Sequence, residues 1–193
     1  DPRLKSYFNP AQDGRDKDGN INREVAGVKQ LSSIEDEYKG VRQGTGVADN
    51  RYSTHSQTTV TTASKIIVMS AAEVWFLRAE AALRYNTGDD VENCYKQGVT
   101  VSFAQWDANG VSDYLESDDR PAAYVDVFDA KFNADAPSTI TPKWDNTADK
   151  EEKLERIITQ KWLALYPEGC EAWAEQRRTG YPVSYTHLTL PTI

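Results

Sequence analysis

The chain has 193 residues, of which 39% are hydrophobic and 27% are charged, a composition typical of a folded, polar protein rather than a disordered tail. The formal net charge of −8 argues against nonspecific nucleic-acid binding, which needs clustered Lys and Arg. No apolar run is long enough to span a bilayer. The absence of a targeting signal says little about location, because the opening at Asp1, without a Met, reads as the middle of a longer protein.

Residues 1–65 are predicted to be irregular, because Gly, Asn, Asp, Gln, Ser and Thr dominate and no helical period is sustained. A weak strand signal covers Thr58–Thr62. The stretch Gly14–Ile21 partly fits a calcium-binding loop, but Gly14 and Val25 would occupy the positions of its strongest acidic ligands. A Gly/Asp-rich turn is therefore favoured over a calcium site.

The first clear helix is predicted to begin after Ser70, because Ser70-Ala-Ala-Glu73 has the form of a capping box. Two apolar stripes on this helix predict that it is covered on more than one side; they are Val74, Leu77 and Ala81, and Trp75, Ala79 and Ala82. A second helix is predicted from about Val91 to Trp106. Gly98 lies inside it at a cost of about 1 kcal/mol in helix propensity, which indicates a place where another helix approaches closely. The two helices resemble a tetratricopeptide-like unit.

Two further helices are predicted near the carboxyl end. One starts near Asp149 and ends at Pro167, and its predicted buried stripe is Leu154, Ile157, Ile158, Trp162 and Leu165. A shorter one runs from about Cys170 to Arg178, with cations in its last turn. One or two short helices are expected within residues 113–132. The predicted fold class is therefore mostly α, with long irregular loops.

The last eleven residues are set apart from the fold prediction. Val183-Ser-Tyr-Thr-His-Leu-Thr-Leu-Pro-Thr192 resembles the translation of a transposon-end adapter used in preparing sequencing libraries. We therefore expect residues 183–193 to be a non-native tail, and residues 1–182 to be the native portion.

No catalytic or metal-binding motif stands out. His55 has no partners at the spacing of a zinc site or a Ser-His-Asp triad, and is expected to be a surface loop residue. The acidic run Glu35–Glu37 admits a glycoside hydrolase, but a solvated acidic patch is the more common reason for such a run. Arg177 and Arg178 are predicted to serve as cations at a helix end and to pair with Glu171 or Glu175. We predict no catalytic residue, no metal and no cofactor.

Aromatic residues outside the predicted helices are the candidate ligand-binding groups. A sugar stacks its apolar C–H face on a flat ring, while its hydroxyls need polar neighbours. The aromatics in question are Tyr7, Phe8, Tyr38, Tyr52 and Trp144, and the possible polar neighbours are Arg42, Asn50 and Arg51. The residues predicted to bind ligand are Tyr7, Phe8, Tyr38, Arg42 and Tyr52. Some of the loop aromatics are expected to belong to the core instead.

Several motifs together resemble the SusD/RagB family of surface nutrient-binding lipoproteins from Bacteroidetes. They are Asp1-Pro-Arg-Leu4, Glu37-Tyr-Lys-Gly-Val-Arg-Gln-Gly44, Ala72-Glu-Val-Trp-Phe-Leu-Arg-Ala-Glu-Ala-Ala82, Tyr95-Lys-Gln-Gly98, Gln160-Lys-Trp162 and Glu171-Ala-Trp-Ala-Glu-Gln-Arg-Arg-Thr-Gly-Tyr-Pro182. Family members are substantially longer. The resemblance implies that residues 1–182 are the carboxyl-terminal portion of a SusD-like helical domain, whose lipid-carrying Cys and amino-terminal repeats are missing.

The resemblance also implies a function. A protein of this family is a lipid-anchored lipoprotein on the outer-membrane surface, which captures oligosaccharides or peptides and passes them to a SusC-like TonB-dependent transporter, without catalysis. Its ligand residues follow no fixed motif, so none is transferred by position. Two alternatives stay open: a helical-repeat scaffold that binds only protein, and a glycoside hydrolase that would use acids such as Glu35 or Asp36.

Overall fold

The computed structural model describes residues 1–11, 24–25, 28–29, 38–42, 55–126 and 129–182. Its helices are α1 (Leu4–Tyr7), α2 (Ala71–Tyr85), α3 (Val91–Gln105), α4 (Val111–Leu115), α5 (Lys150–Ala164) and α6 (Gly169–Thr179), with a 3₁₀ helix over Ala130–Phe132. Two short antiparallel strands, β1 (Glu24–Val25) and β2 (Val28–Lys29), pair with Val25 opposite Val28. The mostly α prediction is confirmed. None of the helices in these ranges combines the length and apolar character needed to cross a bilayer.

Helices α2 and α3 form the predicted closely packed pair. The Ser70 hydroxyl accepts a hydrogen bond from the Glu73 amide at 3.0 Å, and the Asp90 carboxylate accepts one from the Asn93 amide at 2.6 Å, so a side chain caps each helix. A Cβ atom added at Gly98 would lie 2.7 Å from Cε1 of Phe76. The glycine therefore allows the Phe76 ring to pack directly on the α3 backbone.

Helix α5 completes the core against this pair. Asp149 caps it through the Glu152 amide, so the helix starts where the sequence predicts. The buried cluster contains Phe76 and Ala79 from α2, Tyr95, Val99 and Phe103 from α3, Leu154, Ile157 and Ile158 from α5, and Trp144 from the preceding loop. The Tyr95 hydroxyl donates to the Pro142 carbonyl at 2.5 Å, which fixes the loop before α5 on top of α3.

A buried arginine fixes the amino-terminal segment to the same helices. Arg3 has no exposed surface, and its guanidinium donates to Asp1 Oδ2 at 2.6 Å, Gln160 Oε1 at 2.8 Å and Ser102 Oγ at 2.9 Å. The same group lies 5.0 Å from the centre of the Phe103 ring. Because a buried charge is tolerated only when it is paired and hydrogen-bonded, the segment can dock in only one position.

A second ionic cluster joins α2, α5 and α6. Arg178 donates to both oxygens of Glu80 and to Glu175, each at 2.6 Å, and the buried Lys161 ammonium lies 2.9 Å from Glu175. The predicted pairing of Arg178 with Glu175 is confirmed. The cluster attaches α6 to the core through charges, since Glu175 is the one side chain of that helix that is buried.

Some burial expectations are wrong. Trp162, placed in the buried stripe of α5 by its spacing, is 42% exposed, because the described residues supply no element that covers that side of the helix. Val74 and Leu77 of α2 are exposed for the same reason. The opposite error concerns His55, which is buried rather than a surface residue.

The short helix α1 is not predicted by the sequence, because its four residues lack the sustained period from which a helix is predicted.

The close approach of the helix pair makes a prediction for Gly98→Ala. Helix propensity alone would stabilise the variant by about 1 kcal/mol, but the new methyl group would overlap the Phe76 ring. We expect a net loss of about 1–3 kcal/mol in the free energy of unfolding, measured by urea denaturation. Gly169→Ala is the matched control, because a Cβ atom there meets nothing within 4 Å and the variant should be neutral or slightly stabilised. A Gly98→Ala variant as stable as the parent would rule out the close packing.

The ionic cluster makes a prediction for pH. Burial alone would raise the pKa of Glu80, but the hydrogen bonds from Arg178 and Arg84 outweigh it and hold that pKa below the ordinary value of 4.5. A carboxylate with a lowered folded pKa stabilises the fold above its unfolded pKa, and this contribution is lost as the pH falls through the folded pKa.

Glu80→Gln should therefore lower the free energy of unfolding by about 2 kcal/mol at pH 7. Breaking a fully buried ion pair would cost more, but Arg178 is half exposed. The difference from the parent should shrink as urea denaturation is repeated from pH 5 towards about pH 3. Glu116→Gln is the control, since its carboxylate is exposed and 3.9 Å from Lys143, and it should change stability little at any pH. A Glu80→Gln penalty that does not vary with pH would contradict the assigned role of the carboxylate.

Candidate functional site

Residues 55–59 form an extended segment that hydrogen-bonds to two other parts of the chain. On one side, Phe8 and Thr58 form an antiparallel bridge, in which the Asn9 amide donates to the Gln57 carbonyl at 2.8 Å and the Thr59 amide donates to the Tyr7 carbonyl at 3.0 Å. Nearer the start of the segment, the Ser56 amide donates to the Lys39 carbonyl at 2.9 Å. The segment therefore holds two of the loops that carry predicted ligand-binding residues.

A second set of loop contacts lies beside Lys39. Tyr124 and Ala134 form an antiparallel bridge with reciprocal backbone hydrogen bonds of 2.8 and 3.0 Å. Arg42 donates to the Phe132 carbonyl at 3.3 Å, and the Tyr124 hydroxyl lies 3.4 Å from the Gly40 carbonyl. These contacts join the 38–42 loop to the 124–134 loop. We call the group formed by Tyr38, Arg42, Tyr124, Asp126 and Phe132 the loop cluster.

The polar groups of the loop cluster are held in defined states. Burial, and then the hydrogen bond to Asp126 Oδ2 at 3.0 Å, raise the pKa of Tyr124, so its hydroxyl stays protonated at neutral pH. Burial lowers the pKa of His55, a residue outside the cluster, and the charge of Asp126 opposes that shift; the neutral imidazole is therefore favoured. Asp126 is also an acceptor for the Asp129 amide at 2.9 Å. The Tyr124 phenol and the His55 imidazole are therefore both expected to be uncharged at neutral pH.

The structure places the predicted ligand-binding residues in different settings. Phe8, Tyr38 and Arg42 are half-buried, with part of each side chain reaching the surface. Tyr7 is only 5% exposed. Tyr52, with Asn50 and Arg51, lies outside the described residues, as do the calcium-like stretch, the acids at 35–37 and the tail from 183 onward. Trp144, a loop aromatic in the sequence, belongs to the core.

Tyr7 is engaged mainly in holding the segment to α5. Its ring stacks on Tyr166 with the centres 4.5 Å apart, and Trp106 meets it edge-on at 4.9 Å. Its hydroxyl donates to the Leu163 carbonyl at 2.9 Å. Since both its ring and its hydroxyl already have partners, Tyr7 positions the neighbouring Phe8 within the loops.

Two open pockets lie next to this aromatic group and share Pro167 as a wall. The first, of about 210 Å³, is lined mainly by apolar side chains, including Phe8, Trp162 and Leu163, with Asp1 and Glu168 as its charged residues. The second, of about 490 Å³, includes Ile67, Met69 and Trp106 together with Ser64 and Lys65. Neither pocket includes a residue of the loop cluster.

The loop cluster combines residue types from which a site for a neutral, hydroxyl-rich ligand can be built. Tyr38, Tyr124 and Phe132 are half-buried rings, and the Lys131 ammonium lies 4.7 Å from the centre of the Phe132 ring. Arg42 is a donor beside them, while Asp126 is buried and already accepts hydrogen bonds from Tyr124 and Asp129. Rings with a donor beside them are part of what an amphipathic sugar ring needs. Over the ranges that the structure describes, no group of three or more His, Cys, Asp and Glu residues is arranged to hold a metal ion.

Tyr124, Asp126 and Phe132 are members of the cluster that the sequence reasoning missed. They lie in the mixed stretch after α4, where only one or two short helices were expected. Their position beside the 38–42 loop depends on contacts between residues 84 and 90 positions apart in the chain, Tyr124 with Gly40 and Phe132 with Arg42. The sequence carries no local signal for contacts at such separations.

Comparison with known proteins identifies a family and solved structures to which this chain is similar. The model of a family described as SusD-like, Susd and RagB outer membrane lipoprotein, matches residues 1–189. A SusD homologue from Bacteroides vulgatus is 40% identical with a TM-score of 0.80, and its match covers 96% of this chain and 35% of its own. A SusD homologue from Bacteroides thetaiotaomicron is 36% identical with a TM-score of 0.78, covering 95% of this chain and 36% of its own.

A third solved relative is described by the ligand that it binds. It is a chitin-binding SusD homologue from Flavobacterium johnsoniae, 38% identical with a TM-score of 0.77, and the match covers 94% of this chain and 34% of its own. A search of curated proteins found no significant match. The chain thus spans about a third of the length of these solved relatives.

The family model covers nearly the whole chain. Each of the three solved relatives is identical to this chain at more than a third of the matched positions. The family resemblance drawn from the sequence motifs is therefore confirmed. This chain belongs to the SusD-like family of outer membrane lipoproteins.

Proposed function

We propose that the protein to which this chain belongs captures glycans at the outer-membrane surface. The observation that carries the proposal is the 38% identity, over 94% of this chain, with a chitin-binding SusD homologue. Residues 1–182 would be one portion of a longer SusD-like domain, in keeping with the length of the relatives. Residues 183–193 would be a non-native tail.

The loop cluster is the proposed place of binding. Tyr38 is half-buried, so one part of its ring can be held by the loops while the other stacks on a sugar. Arg42, already anchored to the Phe132 carbonyl, would direct donors at sugar hydroxyls. Phe8 adds a ring on the neighbouring chain segment, Tyr7 supports it, and Tyr52 stays a proposed contact.

Binding without turnover fits the proposed role, since the captured glycan has to be passed on intact. We propose a SusC-like TonB-dependent transporter as the recipient, and a lipid anchor outside these 193 residues as the attachment to the membrane. Peptides are the alternative cargo, and a scaffold that binds only protein is the alternative function.

Glycan binding predicts a measurable effect of Tyr38→Ala. Isothermal titration of the 193-residue chain with chito-oligosaccharides, starch oligosaccharides and peptides should give binding to a glycan with no reducing ends released. Tyr38→Ala should weaken that binding by about three- to tenfold, the value of one ring-stacking contact. Its circular dichroism spectrum should be unchanged.

Tyr85→Ala is the matched control, because Tyr85 is also a tyrosine but lies outside the loop cluster. It is 77% exposed at the end of α2. It should leave the affinity unchanged. Equal loss in both variants would exclude the loop cluster. Release of product from a glycan would favour the hydrolase, and co-purification of a protein partner without affinity for any glycan or peptide would favour the scaffold.

The transporter is tested separately. A full-length lipoprotein containing residues 1–182, produced in a Bacteroides host and recovered from detergent-solubilised outer membranes, should co-purify with a TonB-dependent barrel. The interaction should persist in the Tyr38→Ala variant, because the ligand site and the transporter contact are different surfaces in this proposal. Recovery of the lipoprotein alone under conditions that preserve a known SusC–SusD pair would argue against the transporter.

A further inference from the structure

His55 is buried where three loops of the protein meet. It is only 3% exposed, although it lies outside the helices, at the start of the 55–59 segment. The next residue joins this segment to the 38–42 loop twice: the Ser56 amide donates to the Lys39 carbonyl at 2.9 Å, and the Ser56 hydroxyl accepts from the Lys39 amide at 3.0 Å. These two hydrogen bonds fix the backbone beside His55 against the 38–42 loop.

The third loop contributes a carboxylate. Asp126 is itself buried, and it accepts hydrogen bonds from the Tyr124 hydroxyl at 3.0 Å and from the Asp129 amide at 2.9 Å. The Tyr124 hydroxyl also lies 3.4 Å from the Gly40 carbonyl, so the 124–134 loop meets the 38–42 loop. These connections form a ring that returns to His55, because the charge of Asp126 acts on the imidazole.

The charges around the imidazole oppose each other. Among the residues that the structure describes, the charged groups that act on His55 are Asp126, which favours the imidazolium, and Lys39, which disfavours it. Burial is the largest of the three effects, and it lowers the pKa of His55 from the ordinary value of 6.5. The place where the three loops meet therefore suits the neutral imidazole and is destabilised when the imidazole is protonated.

We propose that His55 is a positioning residue for the loop cluster: its neutral imidazole keeps the three loops joined, and its protonation releases them, so that ligand capture weakens in acid. The loops are joined by isolated bridges and single hydrogen bonds, so one buried charge is enough to change the population of the joined state. The inference rests on the proposed function of the loop cluster and adds its regulation.

The direction of the effect follows from linkage between protonation and loop joining. A group whose pKa is lower in the joined state than in the released state binds its proton preferentially in the released state. The joined state therefore keeps its full stability above the ordinary pKa of 6.5. Below that pH it weakens, by at most about tenfold in the equilibrium constant for each pH unit, and the weakening ends below the pKa of the joined state.

A measurement without ligand tests the positioning role. The chain has two histidines, and His187→Gln in the 193-residue chain leaves His55 as the only one. Its imidazole, followed by proton NMR, should titrate at a lower pH in the folded chain than in concentrated urea. Hydrogen exchange of residues 38–42 and 55–59, corrected for the intrinsic pH dependence, should become about threefold faster or more between about pH 7.5 and about pH 5, relative to α3.

Two results of this measurement would overturn the proposal, whether or not the chain binds a glycan. One is an imidazole that titrates at the same pH in the folded and the unfolded chain. The other is loop exchange that does not change relative to α3 while the imidazole is protonated. Circular dichroism at both pH values checks that the helices remain intact.

Titration with chito-oligosaccharides then tests the regulation. In the His187→Gln chain the affinity should fall by about threefold or more between about pH 7.5 and about pH 5, and saturating ligand should lower the pKa of His55, because the ligand binds the joined state. Adding His55→Gln should bring the ratio of the two affinities close to one, whatever the affinity at the higher pH.

The same pH dependence with and without His55 would overturn the regulatory role. Absence of chito-oligosaccharide binding at both pH values would count against the proposed function for that glycan alone, and the exchange measurement would still decide the role of His55.

Discussion

The buried guanidinium of Arg3 is the interaction on which the arrangement of the loops depends. It bonds at once to its own segment through Asp1, to α3 through Ser102 and to α5 through Gln160. A charge with no exposed surface is stable only while all these partners are present. The position of residues 1–9 is therefore set by the helices, and the 55–59 segment, which pairs with Phe8 and Asn9, takes its position from them in turn.

The helices supply the rigidity that this dependence needs. Phe76 packs on the bare backbone at Gly98, and the ionic cluster of Glu80, Lys161, Glu175 and Arg178 attaches α6 across α2 and α5. Close packing and paired charges both fix geometry, because small displacements lose contacts or leave a charge without its partner. The loops that carry the proposed ligand contacts, in contrast, are held to one another by isolated bridges and single side-chain hydrogen bonds.

The loop cluster brings the half-buried rings of Tyr38, Tyr124 and Phe132 near the Arg42 guanidinium, which are residue types that an amphipathic ligand uses. Trp162 shows that helical spacing alone does not decide burial: its spacing is that of a core residue, yet its side chain is 42% exposed among the described residues.

The sequence by itself determined the four longer helices (α2, α3, α5 and α6), the Ser70 cap and the family, because capping boxes and helical spacing act within a few residues of one another. It also identified Tyr38 and Arg42 as loop residues with the right chemistry, and their role in binding stays a prediction. Only the tertiary structure decided that His55 and Trp144 are buried, that Trp162 and Trp173 are exposed, and that Tyr124 and Phe132 lie beside Arg42. Exposure and proximity depend on which distant segments meet, and loops without periodicity carry no local signal of their partners.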